Sequence, residues 1–135
     1  MESNDILQKY STILTDGNNV YMTNFNRVKI KLDALAFYLE NHPTYRQPIE
    51  LDYDLKGETT RLMDDFQVMN ALYEQVALNL TVLKARHETG DLTQSDLLAV
   101  SNGCRFYQQR AEKRAVDLTV QYRTVDVLLD YVYAL

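Results

Sequence analysis

The sequence predicts an all-α protein: an elongated antiparallel helical bundle with coiled-coil-like packing, built from three long helices and a short N-terminal helix. Three observations predict this class. The 135 residues include only four glycines and two prolines, so few positions interrupt a helix. Apolar residues recur at alternating steps of three and four over long stretches, as they do on helices that pack along their length. A short turn separates the last two stretches, which favours antiparallel neighbours.

The first predicted helix covers residues 4–15 and the second covers residues 19–40. Gly17 is expected to end the first helix, because glycine is common where a helix stops. The second helix is expected to end before Pro43. Its apolar stripe consists of Tyr21, Phe25, Val28, Leu32, Leu35 and Leu39.

An extended connector is expected over residues 42–57. Pro43 and Pro48 lie within it, and it has no apolar stripe at helical spacing. The acids of this segment also alternate with other residues, which is untypical of an amphipathic helix.

The third predicted helix covers residues 58–88 and the fourth covers residues 94–133. Gly90 lies where a helix C-terminus favours a left-handed residue. Thr93 and Asp96 form a capping pattern at the start of the fourth helix. The third stripe is Leu62, Phe66, Met69, Tyr73, Val76, Leu80 and Leu83, and the fourth is Leu97, Val100, Cys104, Tyr107, Ala111, Ala115, Leu118, Tyr122, Val125 and Leu129. The whole chain, residues 1–135, is predicted to be a single helical domain.

A second apolar set lies opposite the main stripe of the fourth helix. A helix of a monomeric bundle usually has a polar outer face, so this set predicts a contact surface for a second copy or for another helical protein. The alternative is burial of this face within the bundle itself. The predicted contact residues are Phe106, Val116, Val120, Val127 and Tyr131, with Arg110 and Lys113 setting the register at the rim.

The segment from Ser101 to Arg114 is locally basic, which raises the question of nucleic-acid binding. The net charge of the chain is −5, whereas a domain that binds duplex DNA normally carries a dominant basic face. We therefore interpret the segment as the solvated side of the fourth helix or as a partner of the acidic connector. Nucleic acid is a disfavoured partner.

The sequence contains few residue patterns that catalysis requires. It has no Gly-rich phosphate loop and no Glu-x-x-His pair, and its single cysteine, Cys104, lies on the apolar face of the fourth helix. We predict a protein that is not an enzyme and that uses no cofactor or metal. With no apolar run long enough to span a bilayer and no signal peptide in the sequence, we predict a cytoplasmic location, or assembly into a particle without a cleaved signal.

Two segments resemble parts of known families. "YRQPIELDYDLKGETT" with "ALYEQVALNL" resembles the tail of proximal flagellar rod proteins, and "ARHETGDLTQSDLL" resembles the helical hairpin of outer-membrane efflux channels. The two resemblances overlap along the chain, and both imply a long amphipathic helical hairpin. We assign no family from them.

These observations predict a non-catalytic structural or adaptor subunit that acts through helix packing in a larger assembly, such as a secretion apparatus or a phage particle. One alternative is a small acidic chaperone or inhibitor that masks an apolar helix of its partner. Another is a regulatory nucleic-acid binder that uses the basic segment.

Overall fold

The computed structural model describes residues 3–135, which form four α-helices and, within that range, no strand. Helix α1 spans Ser3–Asn41, α2 spans Pro43–Asp52, α3 spans Leu55–Thr89 and α4 spans Gln94–Tyr133. The predicted all-α bundle is confirmed, and α4 has the predicted bounds.

The helices form two compact units. The first unit contains the described residues up to Tyr21 together with Val68–Arg114, and the second contains Met22–Gln67 together with Ala115–Leu135. Helices α1, α3 and α4 each contribute one part to each unit.

The buried side chains of each unit come from the apolar stripes of its helices. In the first unit they are Leu7, Tyr10, Leu14, Tyr21, Met69, Val76, Leu80, Leu83, Leu97, Val100, Cys104, Tyr107 and Ala111. In the second unit they are Phe25, Val28, Leu32, Leu35, Leu39, Ile49, Leu62, Leu118, Val125, Leu129 and Val132. Most of the predicted stripe residues are therefore core residues.

Contacts within the first unit show the directions of its helices. Arg86 of α3 pairs with Asp96 of α4, and Tyr73 lies against Tyr107 further from the turn, so α3 and α4 are antiparallel. Tyr10 of α1 contacts Arg105, and Asn18 contacts Tyr107, so α1 runs parallel to α4.

The prediction that Gly17 ends the first helix is wrong, because α1 continues through it to Asn41. Gly17 is buried, and a Cβ atom at this position would lie 3.4 Å from two ring carbons of Tyr107. Glycine costs a helix interior about 1 kcal/mol relative to alanine. Here it allows the Tyr107 ring to approach the α1 backbone, so the contact with α4 offsets that cost.

The prediction of an extended connector over residues 42–57 is also wrong, because α2 occupies most of it. Pro43 stands at the first helical position, where the missing N–H would have no partner in any case. Ile49 is buried, Arg46 pairs with Glu50 one turn later, and the N–H of Tyr53 closes the helix on the Ile49 carbonyl. The short helix of the bundle is therefore α2, and no separate short helix lies at the N-terminus of the described chain.

The turn between α3 and α4 has the predicted chemistry. Gly90 has a φ of +77°, in the left-handed region that glycine adopts readily. The Thr93 N–H donates to Asp96 Oδ2 and the Asp96 N–H donates to Thr93 Oγ1, each at 3.1 Å. These reciprocal bonds form a capping box at the start of α4.

Candidate helix-packing surface

In the second unit, α4 is held against α1 by charged and aromatic side chains. Lys31 Nζ lies 2.7 Å from Asp126 Oδ1. The guanidinium carbon of Arg27 lies 4.2 Å from the ring centre of Tyr122, within the range of a cation–π interaction. The Asp126 carboxylate, by accepting a hydrogen bond from Lys31, raises the pKa of that lysine. These contacts fix the side of α4 that faces α1.

Two further contacts tie α4 to its neighbours. Gln121 Nε2 donates to Glu58 Oε2 of α3 at 2.8 Å, and the Tyr38 hydroxyl of α1 donates to the Val132 carbonyl at 2.9 Å. Together with the buried stripe, these bonds determine the rotation of α4 about its own axis. The face opposite the stripe is therefore directed outward.

That outward face carries four large apolar side chains, and we call it the α4 outer face. Its members are Val116, Val120, Val127 and Tyr131, whose exposed fractions lie between 58% and 68%. Their steps of four, seven and four residues keep them on one side of the helix over roughly 22 Å. The sequence left open the alternative that this face is buried within the bundle. In the second unit these four side chains are exposed instead.

The remaining predicted contact residues belong to the first unit. Phe106, Arg110 and Lys113 are all exposed there, and Phe106 has about half of its surface accessible. The sequence therefore identified side chains that the bundle leaves uncovered. Their role in binding stays a prediction.

Within the basic segment, Arg105 contacts α1 of the same unit. Its Nη2 donates to the Tyr10 hydroxyl at 3.3 Å, and its guanidinium lies 5.7 Å from the Tyr10 ring centre. Hydrogen bonds from Ser101 and Arg105 lower the pKa of Tyr10. Arg105, one of four basic residues between Ser101 and Arg114, therefore helps to pack α1 against α4 in the first unit.

Sequence reasoning missed another exposed apolar surface, formed by two residues on the part of α1 that belongs to the second unit. Ile30 and Phe37 are both largely exposed, and their seven-residue spacing places them on one side of the helix. Leu51, near the end of α2, is exposed as well. The signal for the α1 pair was present in the sequence, because both residues lie behind the stripe of that helix.

Three side chains of the bundle have pKa values that burial raises. Burial raises the pKa of the Cys104 thiol to about 11 and that of the Tyr107 hydroxyl to about 12. Burial, and then the charge of Glu58, raise the pKa of Tyr53 to about 12. All three groups therefore hold their protons at neutral pH.

Residues 3–135 contain no group of three or more histidine, cysteine, aspartate or glutamate side chains placed to hold a metal ion. Over the same residues, no helix is apolar enough along its length to cross a membrane.

Comparison of the chain with protein-family models, with curated proteins and with solved structures found no match. A functional conclusion must therefore rest on the geometry of the chain itself.

Proposed function

We propose that this protein is a non-catalytic structural or adaptor subunit that acts through helix–helix packing in a larger assembly, such as a secretion apparatus or a phage particle. The observation that carries the proposal is the α4 outer face. It presents four apolar side chains on a helix whose other sides are occupied by α1 and α3.

The size of this face favours an assembly with several contacts. Complete burial of one Val side chain contributes about 1.5–3 kcal/mol, whereas association costs at least about 4 kcal/mol in lost freedom of motion. The four side chains are already partly buried, so together they supply a gain of the same order as that cost. Such a contact gives stable association when other contacts of the same assembly act together with it.

The exposed pair on α1 supplies a second contact of similar chemistry in the second unit. Ile30 and Phe37 are about as exposed as the residues of the α4 outer face. A subunit with two apolar contact faces can bridge two neighbours, as a structural or adaptor subunit must.

The alternative is a small acidic chaperone or inhibitor that covers an apolar helix of its partner. The net charge of −5 favours this alternative, since an acidic protein stays soluble while it presents an apolar face. It differs from the assembly subunit in forming a stoichiometric complex with a single partner.

Two double variants test the proposal. Val120→Asp with Val127→Asp places two charges on the α4 outer face, and Ile30→Asp with Phe37→Asp tests the α1 pair with the same spacing and the same charge change. Each tagged protein is purified from the cells that produce it, and the co-purifying proteins and the mass of the complex are compared with those of wild type. We expect the α4 variant to lose its partners while remaining folded by circular dichroism.

Retention of every partner by the α4 variant would contradict the proposal. Loss of partners from the Ile30 and Phe37 variant alone would move the contact to α1. If wild type co-purifies with a single partner at a fixed stoichiometry and the α4 variant loses that partner, the chaperone or inhibitor is favoured.

A further inference from the structure

We infer that the α4 outer face binds the same face of a second copy of this chain, with the two α4 helices antiparallel. The inference rests on the proposed function and names the partner of that same surface. It is argued from two charged side chains that border the apolar residues.

Arg123 and Asp130 are both exposed and lie on one edge of the α4 outer face. Their separation of seven residues is nearly two full turns, which places them above one another along the helix. Within the described part of the chain neither forms an ion pair. The charge of Asp130 contributes to the raised pKa of Lys31, but that lysine is paired with Asp126. This edge therefore presents two opposite charges that are available to a neighbour.

Antiparallel pairing makes these charges complementary to themselves. A two-fold axis perpendicular to the helices brings each edge of the face against the same edge of the second copy. With the axis beside Val127, Arg123 of each copy lies opposite Asp130 of the other. The pairing forms two equivalent ion pairs and places the two Val127 side chains in contact at the centre.

Parallel pairing lacks this complementarity. An axis along the helices brings opposite edges of the face together, so Arg123 lies at the level of Thr124 of the second copy and Asp130 at the level of its Tyr131. Neither charge then meets an opposite one. Charge complementarity on this surface therefore favours the antiparallel arrangement.

The area of the contact predicts a weak dimer. With the two-fold axis beside Val127, the two α4 helices overlap over residues 120–133, and Val116 lies outside the overlap. This strip is roughly 21 Å long and buries well under the ~800 Å² per partner of a standard interface. We expect monomer and dimer to exchange at micromolar concentrations.

Charge reversal tests the pairing directly. Sedimentation velocity over a concentration series is expected to show wild-type dimerisation. Arg123→Asp and Asp130→Arg are each expected to weaken the dimer about tenfold, because each variant brings like charges together twice. An equimolar mixture of the two variants is expected to dimerise again, since every contact in the heterodimer then joins opposite charges.

Disulfide trapping tests the direction of the helices. Val127→Cys places two thiols across the two-fold axis, where they can form a disulfide. Val120→Cys is the matched control, because antiparallel pairing holds these two thiols roughly 20 Å apart while parallel pairing brings them together. Wild type is the blank, since its only cysteine is buried with a pKa of about 11. Oxidation is expected to link the Val127→Cys chains and to leave the other two proteins unlinked.

Four results would overturn the inference. Three of them are a wild type that stays monomeric throughout, a mixture of variants that does not recover, and equal linking at both introduced cysteines. Each of these leaves the proposed function standing, because that proposal is tested through the partners lost on Asp substitution. A dimer that survives Val120→Asp with Val127→Asp would overturn the inference, and partners that survive the same change would overturn the proposed function.

Discussion

Gly17 and Tyr107 show how a single residue position links two helices of the first unit. The Tyr107 ring lies over Gly17, and its hydroxyl donates to Asn18 Oδ1 at 3.0 Å. The ring is fully buried, and the hydrogen bond satisfies the polar end that burial would otherwise leave without a partner. The ring lies close enough to position 17 to leave room for a Cβ atom but not for a larger side chain.

The space at Gly17 predicts opposite effects for two substitutions. A Cβ atom would make ordinary contact with the ring at 3.4 Å, so Gly17→Ala should stabilise the protein by roughly 0.5–1 kcal/mol through helix propensity. Gly17→Val adds two methyl groups against the ring and should destabilise it by about 1–3 kcal/mol. Urea unfolding measures both changes, and equal effects of the two variants would contradict this account of the contact.

Among the elements, the α3–α4 turn is stabilised by a charged residue, Asp96, in the first turn of α4. Asp96 Oδ2 accepts a hydrogen bond from the Thr93 N–H at 3.1 Å. Its Oδ1 accepts a second one from Arg86 Nη1 at 3.0 Å. The Thr93 N–H, and then the Thr93 hydroxyl and Arg86, hold the pKa of the Asp96 carboxyl below its usual value. The folded state therefore binds the Asp96 proton more weakly than the unfolded state does.

This pKa shift predicts how acid affects the turn. The stability from the Asp96 carboxylate is complete above the unfolded pKa of about 3.9 and is lost as the pH falls through the lower folded pKa. Wild type should therefore be more stable than Asp96→Asn at neutral pH, and the difference should shrink in acid. Urea midpoints from about pH 6 down to about pH 3 measure this difference. The exposed carboxylate variant Asp64→Asn is the control, and a difference for Asp96→Asn that does not change with pH would contradict the assignment.

The sequence predicted α4 and its cap because their signals are local. The capping residues lie within one turn of each other, and the apolar stripe repeats without interruption. The predictions at Gly17 and at residues 42–57 were wrong because glycine and proline normally interrupt a helix, whereas packing against other parts of the bundle stabilises the helix at these positions. Gly17 is compensated by the Tyr107 ring, and Pro48 is tolerated in a helix that Ile49 anchors in the core. A single sequence gives no direct sign of either compensating neighbour.

The α4 outer face could be predicted from the sequence as well as α4 itself could. Once α4 is a helix with a buried stripe, residues such as Val120 and Val127 must lie opposite that stripe. The charge complementarity of Arg123 and Asp130 is also encoded at this level. The exposure of Ile30 and Phe37 was equally predictable, because the helix predicted over residues 19–40 already placed both residues behind its apolar stripe.

At the scale of the whole molecule, net charge governs encounters with other macromolecules. The chain carries −5 at neutral pH, and Arg105 of the basic segment is engaged with Tyr10. Phosphate contacts dominate the affinity of DNA-binding proteins, so an acidic chain with a small basic segment should bind duplex DNA poorly.

A binding titration tests the nucleic-acid alternative at this scale. We expect fluorescence anisotropy to detect no specific binding of labelled duplex DNA or RNA near physiological salt. Wild type and the Arg110→Glu, Lys113→Glu double variant should behave alike. Binding by wild type that weakens with salt and disappears in the double variant would support the regulatory nucleic-acid binder instead.

Cys104 gives the folded chain an intrinsic kinetic probe. It is the only cysteine, it is fully buried in the first unit, and its thiol holds its proton far above neutral pH. Because thiol reagents attack the thiolate, modification must wait for a transient opening that exposes the sulfur to water. The labelling rate of the unmodified protein therefore reports how often the first unit opens while nearly every molecule is folded.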